Sequence, residues 1–376
     1  MQQYMKTYKI LLETKGPLHI GSGKQMGKKE YIYNEKIKEI IVPDLVTMYK
    51  ALKKKSLANV YEKEFLLGNE ENLYSWLMRK GISYAECKKW AKYVYNCSDT
   101  DFSGKRLDKK TKNVSFFMKD AYEKPYVPGS SLKGALRTIL CANELMKNEK
   151  LKRKCQNIIR NQLESPSKYR NNYLKREIHK IESEVFHVLS FENVAKNNAV
   201  CDQMKGMIIS DSKPLKVSDL ILCQKIDVDI RGQRNKFPIL KECIKPGREI
   251  EFDLTIDCNI NRYYDETIMQ AINNFQEGYY HFLNKYSSVD KEENILYLGG
   301  SAGFVSKTIL YGLFPEKEAV RIISTIFDKT LSKNARREHH HERDIRLGVS
   351  PHTKKCTQYL GREYEFGKCK IHIEKV

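Results

Sequence analysis

The sequence predicts an α+β fold in which strands, helices and glycine-bearing loops recur in both halves of the chain. Three observations carry that expectation. Residues 250–258 alternate without a break, with Ile250, Phe252, Leu254, Ile256 and Cys258 on one side and Glu251, Asp253, Thr255 and Asp257 on the other. That period of two marks a strand with one buried face. The next stretch, 261–286, spaces Ile268, Ile272, Phe275, Tyr279, Phe282 and Tyr286 by alternate steps of four and three, the stripe of an amphipathic helix. The order of elements in the second half is compatible with a ferredoxin-like β-α-β-β-α-β arrangement, on which RNA-recognition modules are built.

From the N-terminus, YKILLE at 8–13 reads as a strand that ends at Gly16-Pro17 in a loop, LHIGSGKQMGKK. EYIYN (30–34) and EIIV (39–42) form a plausible hairpin. Asp44 is placed to cap a helix over LVTMYKALKKK. Residues 57–95 are helical in pattern, with Leu66, Leu73, Trp76, Leu77, Trp90, Tyr93 and Val94 as packing residues. Residues 98–124 read as a polar, mobile loop. Pro128-Gly129 then turns the chain into a helix capped by Ser130 or Ser131 and packed through Leu132, Ala135, Leu136, Ile139 and Leu140. From 145 to 188 the chain is helical and strongly basic, with a break expected at Ser165-Pro166-Ser167. Strand-like runs follow at 207–210 and 220–230, before the alternating strand and helix already described. A glycine-rich loop spans 298–308, a helix starts at Pro315, and 368–374 forms a last strand. The length of 376 residues allows two or three compact domains, and a boundary near 205 divides the chain into 1–205 and 206–376.

Composition narrows the partners. The net charge of +20 ranks nucleic acid first, an anionic membrane second and an acidic protein third. Tyrosines outnumber the other aromatics, 23 against 14 Phe and 2 Trp, and tyrosine beside lysine suits base stacking. The ten cysteines form no CxxC pair, so neither a zinc ribbon nor a redox motif is signalled; reduced structural thiols and a cytosolic setting are expected. The N-terminal stretch is too polar for a signal peptide, and no run approaches a membrane span.

Four stretches offer chemistry. PGSSLKGALR joins a helix start, where free amides attract anions, to Lys133 and Arg137 four residues apart. Its plainer reading is a capped helix with two solvated cations. LGGSAGFVSKT could cradle phosphates or simply turn the chain; it is not a Walker A loop, because Ser stands at 301 and 306. His19 lies among Lys24, Lys28 and Lys29, a setting for acid–base RNA cleavage or for RNA contact, but no second catalytic partner is identifiable. His339-His340-His341 cannot converge on one helix or strand face, so a solvated, partly RNA-facing segment is expected and no metal or cofactor is implied.

Taken together, Gly16-Pro-Leu-His-Ile-Gly-Ser-Gly23, Val127-Pro-Gly-Ser-Ser-Leu-Lys-Gly-Ala-Leu-Arg137, the loop at 298–303, Gly348-Val-Ser-Pro-His352 and Tyr364-Glu-Phe-Gly-Lys-Cys-Lys370 resemble the RAMP superfamily from residue 6 onward. The middle motif marks the class; the tail resembles the cap subunits of type III-A CRISPR Csm effector complexes. The resemblance implies two ferredoxin-like, RRM-like RAMP domains with helical insertions. It implies a non-catalytic subunit that binds crRNA on the 3′-end side, supports assembly and crRNA 3′-end maturation, and recruits host nucleases. Its implied neighbours are the backbone RAMP subunit and the small helical subunit. The RNA-facing positions it implies are His19, Gly21, Lys133, Arg137, Gly299, Gly300 and Gly303, joined by Lys24, Lys28 and Lys307. Two departures stand out: the loop lacks the longer GxGxxxxxG form, and only Asp44, a helix cap, lies near the position of the backbone subunit's catalytic aspartate. The alternatives are a metal-independent repeat-processing endoribonuclease using His19 and an interaction protein for an acidic partner.

Overall fold

The computed structural model describes residues 4–68, 71–100, 113–164, 173–286 and 291–376. The chain begins β1 (Met5–Thr14), β2 (Gly21–Met26), β3 (Ile32–Asn34), β4 (Glu39–Pro43), α1 (Leu45–Lys54) and α2 (Ala58–Val60), which a π-helical stretch continues to Leu66. Next come α3 (Leu73–Arg79), α4 (Tyr84–Lys89), β5 (Ala91–Asn96), β6 (Val114–Phe117), α5 (Gly129–Lys147), α6 (Glu149–Glu164) and α7 (Lys175–Phe186). The second half carries β7 (Met207–Ile209), β8 (Leu220–Asp229), β9 (Arg234–Ile244), β10 (Glu249–Asp257), α8 (Asp265–Leu283) and β11 (Ile295–Tyr297). It ends α9 (Leu310–Leu313), α10 (Glu316–Thr330), α11 (Lys333–His339), α12 (Asp344–Leu347), β12 (Thr353–Tyr359), β13 (Arg362–Glu365) and β14 (Lys368–Lys375).

One sheet runs β11-β14-β1-β10-β7, antiparallel throughout. With its helices, β1, α5, β7, β10, α8 and β14 follow one another as a β-α-β-β-α-β unit, which bears out the α+β class but draws on both halves of the chain, not on the second half alone as the order of elements there suggests. The alternation read from sequence explains the sheet's centre. Tyr8, Ile10, Leu12 and Thr14 of β1 share a buried face with Ile250, Phe252, Leu254 and Ile256 of β10. Leu132, Leu136 and Leu140 of α5 and Ile268 and Ile272 of α8 join the same core. β1 is a central strand, and both neighbours that satisfy its backbone hydrogen bonds, β10 and β14, come from the second half of the chain. The division at 205/206 therefore does not separate the sheets: the unit takes β1 and α5 from before it and the rest from after it.

The other strands are insertions into that unit. A second sheet runs β13-β12-β8-β9-β6-β2, parallel only between β6 and β9. A small β3-β4-β5 sheet, with α1 to α4, closes its own core around Trp76, Leu77, Phe65 and Leu52. Several local expectations change. GSGKQM at 21–26 is strand β2, not loop, and 114–117 of the expected mobile loop is strand β6. The expected helix over 57–95 gives way to β5 at Ala91, because Tyr93 and Tyr95 pair with Val42 and Ile40 of β4. Leu66 and Val94 are exposed, not packed. Asp44 caps α1 as expected, its carboxylate accepting from the Thr47 amide at 2.7 Å. The Ser165–Ser167 break, with Lys168 and Arg170, lies outside the described residues. Among the described residues no helix is long and apolar enough to cross a membrane.

Candidate functional site

Three glycine-bearing stretches far apart in sequence are laced together at one end of the first sheet. Pro17 O accepts from Gly367 N at 2.9 Å, and Gly367 O accepts from Leu298 N at 2.9 Å. Leu18 exchanges backbone hydrogen bonds with Ile244 at the end of β9, and His19 O accepts from Gly300 N at 2.9 Å. Gly299 sits at φ +87, and a Cβ there would lie 2.3 Å from His19 O. Only glycine meets both demands. Gly367, at φ +72, is held as closely against Leu298 O.

His19 is buried, 4% exposed. Its Nδ1 lies 2.7 Å from the Glu242 carbonyl oxygen, which only accepts, so Nδ1 carries the proton and Nε2 is bare. Nε2 would lie 3.1 Å from a Cβ on Gly21, so the glycine leaves the ring room. Burial, and then the Lys241 charge, outweigh the hydrogen bond to Glu242 and push the His19 pKa down to about 4. The imidazole is therefore neutral at pH 7 and a weak base.

A cleft of about 330 Å³ opens beside this loop, lined by Gly21, Gly299, Gly300, Lys307 and, from α5, Ser131, Gly134, Ala135 and Thr138. Lys307 lines it, and Lys241 lies close enough for its charge to act on both Lys307 and His19. Lys307 is exposed, yet the protein around its ammonium and then the charge of Lys241 lower its pKa. Burial and then Lys225 lower that of half-buried Lys241. Among the described residues neither side chain makes an ion pair, whereas Lys355, packed against Gly303, is committed to Asp227 at 2.6 Å. Two crowded, unneutralised ammonium groups beside glycine backbone form a site that gains stability from an anion.

The expected RNA-facing residues therefore divide. His19, Gly21, Gly299, Gly300 and Lys307 come together, while Gly303 is not part of the cleft lining and lies against Lys355. Arg137 does not join them. Its guanidinium donates to Asp202 at 2.7 Å and Glu182 at 3.1 Å and stacks over Phe186, so it ties α5 to α7 and to the chain entering β7. Lys133 shares that side of the helix, away from the cleft lining, and burial lowers its pKa. Neither Ser130 nor Ser131 caps α5; Pro128 takes that place, and Asp211 already accepts from the Gly129 amide at 2.9 Å. Gly129 is needed because a Cβ would meet the Ile209 and Ser210 carbonyls at 2.3 Å. Lys24 lines a separate groove of about 590 Å³ beside Asp44 and Lys119, and Lys28 packs where its carbonyl accepts from Leu73 N. Of the basic helical stretch, Arg160 is spent on Glu318 and Lys154 on Glu184. His341 is buried, contrary to the solvated tract expected. Sequence reasoning missed Lys241 and Glu242 because β9 was not read as a strand.

The neutral burial of His19 has a consequence for stability. Its folded pKa of about 4 lies below the ordinary 6.5, so below pH 6.5 the unfolded chain takes up a proton that the folded chain refuses. Stability is lost as pH falls from about 6.5 to about 4, by about 3 kcal/mol in all. Urea unfolding of wild type and His19→Gln across that window should show their difference shrinking by this amount; a constant difference would contradict a buried, neutral ring.

The sequence matches the RAMP superfamily over residues 11–304, a span that includes both the His19 loop and Gly299–Gly303. The CRISPR system Cms protein Csm5 of Mycobacterium tuberculosis (strain CDC 1551 / Oshkosh) is 25% identical over an alignment of 403 positions, covering 100% of each chain. A chain of a Csm–crRNA–target RNA ternary complex from a type III-A CRISPR-Cas system superposes with a TM-score of 0.62 at 16% identity, covering 98% of this chain and 100% of that one. The crystal structure of Csm5 from T. onnurineus superposes with a TM-score of 0.56 at 18% identity, covering 96% and 99%. The two superpositions show a common fold.

Proposed function

The chain belongs to the RAMP superfamily, and from that premise we propose that it is the fifth subunit of a type III-A Csm complex, binding the crRNA on its 3′-end side. The observation that carries this reading is the cleft lined by Gly21, Gly299, Gly300 and Lys307 beside the His19 loop, within reach of the Lys241 charge. Its features suit an RNA backbone rather than a small substrate. Glycine backbone allows close approach of a sugar–phosphate strand, and two unpaired ammonium groups supply phosphate contacts. The family match and the full-length relative named Csm5 agree with it.

The role is structural rather than catalytic. A general acid or base for RNA cleavage works best near neutral pKa, and His19 is held near 4 with Nδ1 committed to Glu242. The subunit therefore holds crRNA, neighbours the backbone RAMP subunit and the small helical subunit, and guides 3′-end maturation by host nucleases in the cytoplasm. The deciding experiment is purification of the tagged chain from cells expressing the whole system, with sequencing of the bound RNA. Repeat–spacer RNAs and other Csm subunits should copurify, and deleting this chain should leave crRNAs with untrimmed 3′ ends. RNA cleavage in EDTA, abolished by His19→Ala, would replace this reading with the endoribonuclease. Absence of both RNA and Csm subunits would leave the interaction protein.

A further inference from the structure

A second cluster of functional side chains lies outside the cleft, where the chain leaves α12 and enters β12. Asp344, at the start of α12, is fully buried. Its Oδ2 is 3.0 Å from His341 Nδ1 and accepts from Ser350 Oγ at 2.5 Å; its Oδ1 is 2.5 Å from His352 Nδ1. One ligand atom from each of His341, Asp344 and His352 lies within 4.8 Å of the others. From these contacts we propose that His341, Asp344 and His352 bind a divalent transition-metal ion that staples α12 to the start of β12.

Three features point to a cation. The first is charge. The wholly buried Asp344 carboxyl group has His341, His352 and Ser350 at hydrogen-bonding distance. Among the described residues no lysine or arginine pairs with it; its side-chain partners are His341, His352 and Ser350. A buried carboxylate with no lysine or arginine beside it is a place where a divalent ion supplies the counter-charge.

The second feature is the donor set. Two imidazoles and one carboxylate suit Zn²⁺, Fe²⁺ or Co²⁺ rather than Mg²⁺ or Ca²⁺. The third is the outer shell. The His341 ring is stacked at 4.3 Å on Phe327, its carbonyl accepts from Ser324, and Ser350 fixes the carboxylate. Such partners orient ligands before a metal arrives. His352 is only partly buried, with its side chain 16% exposed, and gives the ion a way in.

The test is cobalt titration of the full chain after chelator treatment, read by visible absorption and thermal unfolding. One equivalent of Co²⁺ should produce a d–d band without a thiolate charge-transfer band, and Zn²⁺ should compete for it and raise the melting temperature. The thiolate criterion matters because Cys258 is exposed while the other nine cysteines are buried. His341→Gln and His352→Gln should each weaken cobalt binding by about 100-fold or more. A wild-type chain that gives no d–d band at one equivalent overturns the proposal, whatever the variants do. So does a band that survives in both variants or carries thiolate character.

Discussion

Replacing Glu242 with alanine is expected to lower the unfolding free energy by about 3–5 kcal/mol. The Glu242 side chain is wholly buried, and its carboxylate accepts from Lys119 Nζ at 3.0 Å, Phe117 N at 2.9 Å, Tyr95 OH at 2.9 Å and Tyr93 OH at 3.1 Å. Those donors come from β5, β6 and the residues just after β6. One carboxylate thus joins the small sheet and β6 to β9. Truncation leaves a nearly buried Lys119 ammonium, its side chain 9% exposed, without its anion. The cost is that stranded charge more than the lost attraction, so Lys119→Met in the alanine background should recover part of it. Urea unfolding of the two single variants and the double variant closes the cycle. A loss below about 1 kcal/mol for Glu242→Ala would mean that Lys119 escapes to water and that the carboxylate does not join the sheets. The cleft is affected too, because the Glu242 main chain holds His19.

How much of this was legible in sequence depended on whether a signal was local. β1 and β10 showed themselves because both alternate over a full strand, and α8 because its stripe is unbroken. β9 did not: Pro238 interrupts RNKFPILKECI, its first half is polar and exposed, and only its last residues are buried. β2 hid for a similar reason, being rich in glycine and lysine and exposed along most of its length. β5 follows a capped helix, α4, with no breaker between them, and only pairing with β4 makes it a strand. At the site, Gly299 was legible because a positive φ and close backbone approach to His19 demand glycine. Arg137 misled because i to i+4 spacing says that two cations share a face but not what the face meets. Glu182 and Asp202, 45 and 65 residues away, meet it. Lys241 and Glu242 are the converse case. Adjacent on one strand, they send opposite charges to opposite faces, Glu242 into the core and Lys241 to the side where its charge reaches Lys307 and His19, a distinction that exists only once β9 is a strand.

That separation makes the cleft testable through its cations. Changing both Lys241 and Lys307 to glutamine should weaken binding of single-stranded RNA by about 10- to 150-fold, corresponding to about 1.5–3 kcal/mol for charge-assisted phosphate contacts. The slope of log affinity against log salt should flatten by about 0.7 for each phosphate that the variant no longer neutralises. The double variant should fold normally, because among the described residues neither lysine has an ion-pair partner, and the Lys241 charge itself lowers the Lys307 pKa. Removing mutually repelling charges relieves the unbound protein while depriving RNA of its partners, so affinity and stability move in opposite directions. Arg137→Gln should do the reverse. It strips Asp202 and Glu182 of their guanidinium and costs stability, yet leaves RNA affinity and salt slope unchanged. Filter binding across a salt series, beside urea unfolding of the same samples, distinguishes the two behaviours. If the double lysine variant keeps the wild-type slope while Arg137→Gln flattens it, the RNA path follows the α5–α7 face and not the glycine cleft.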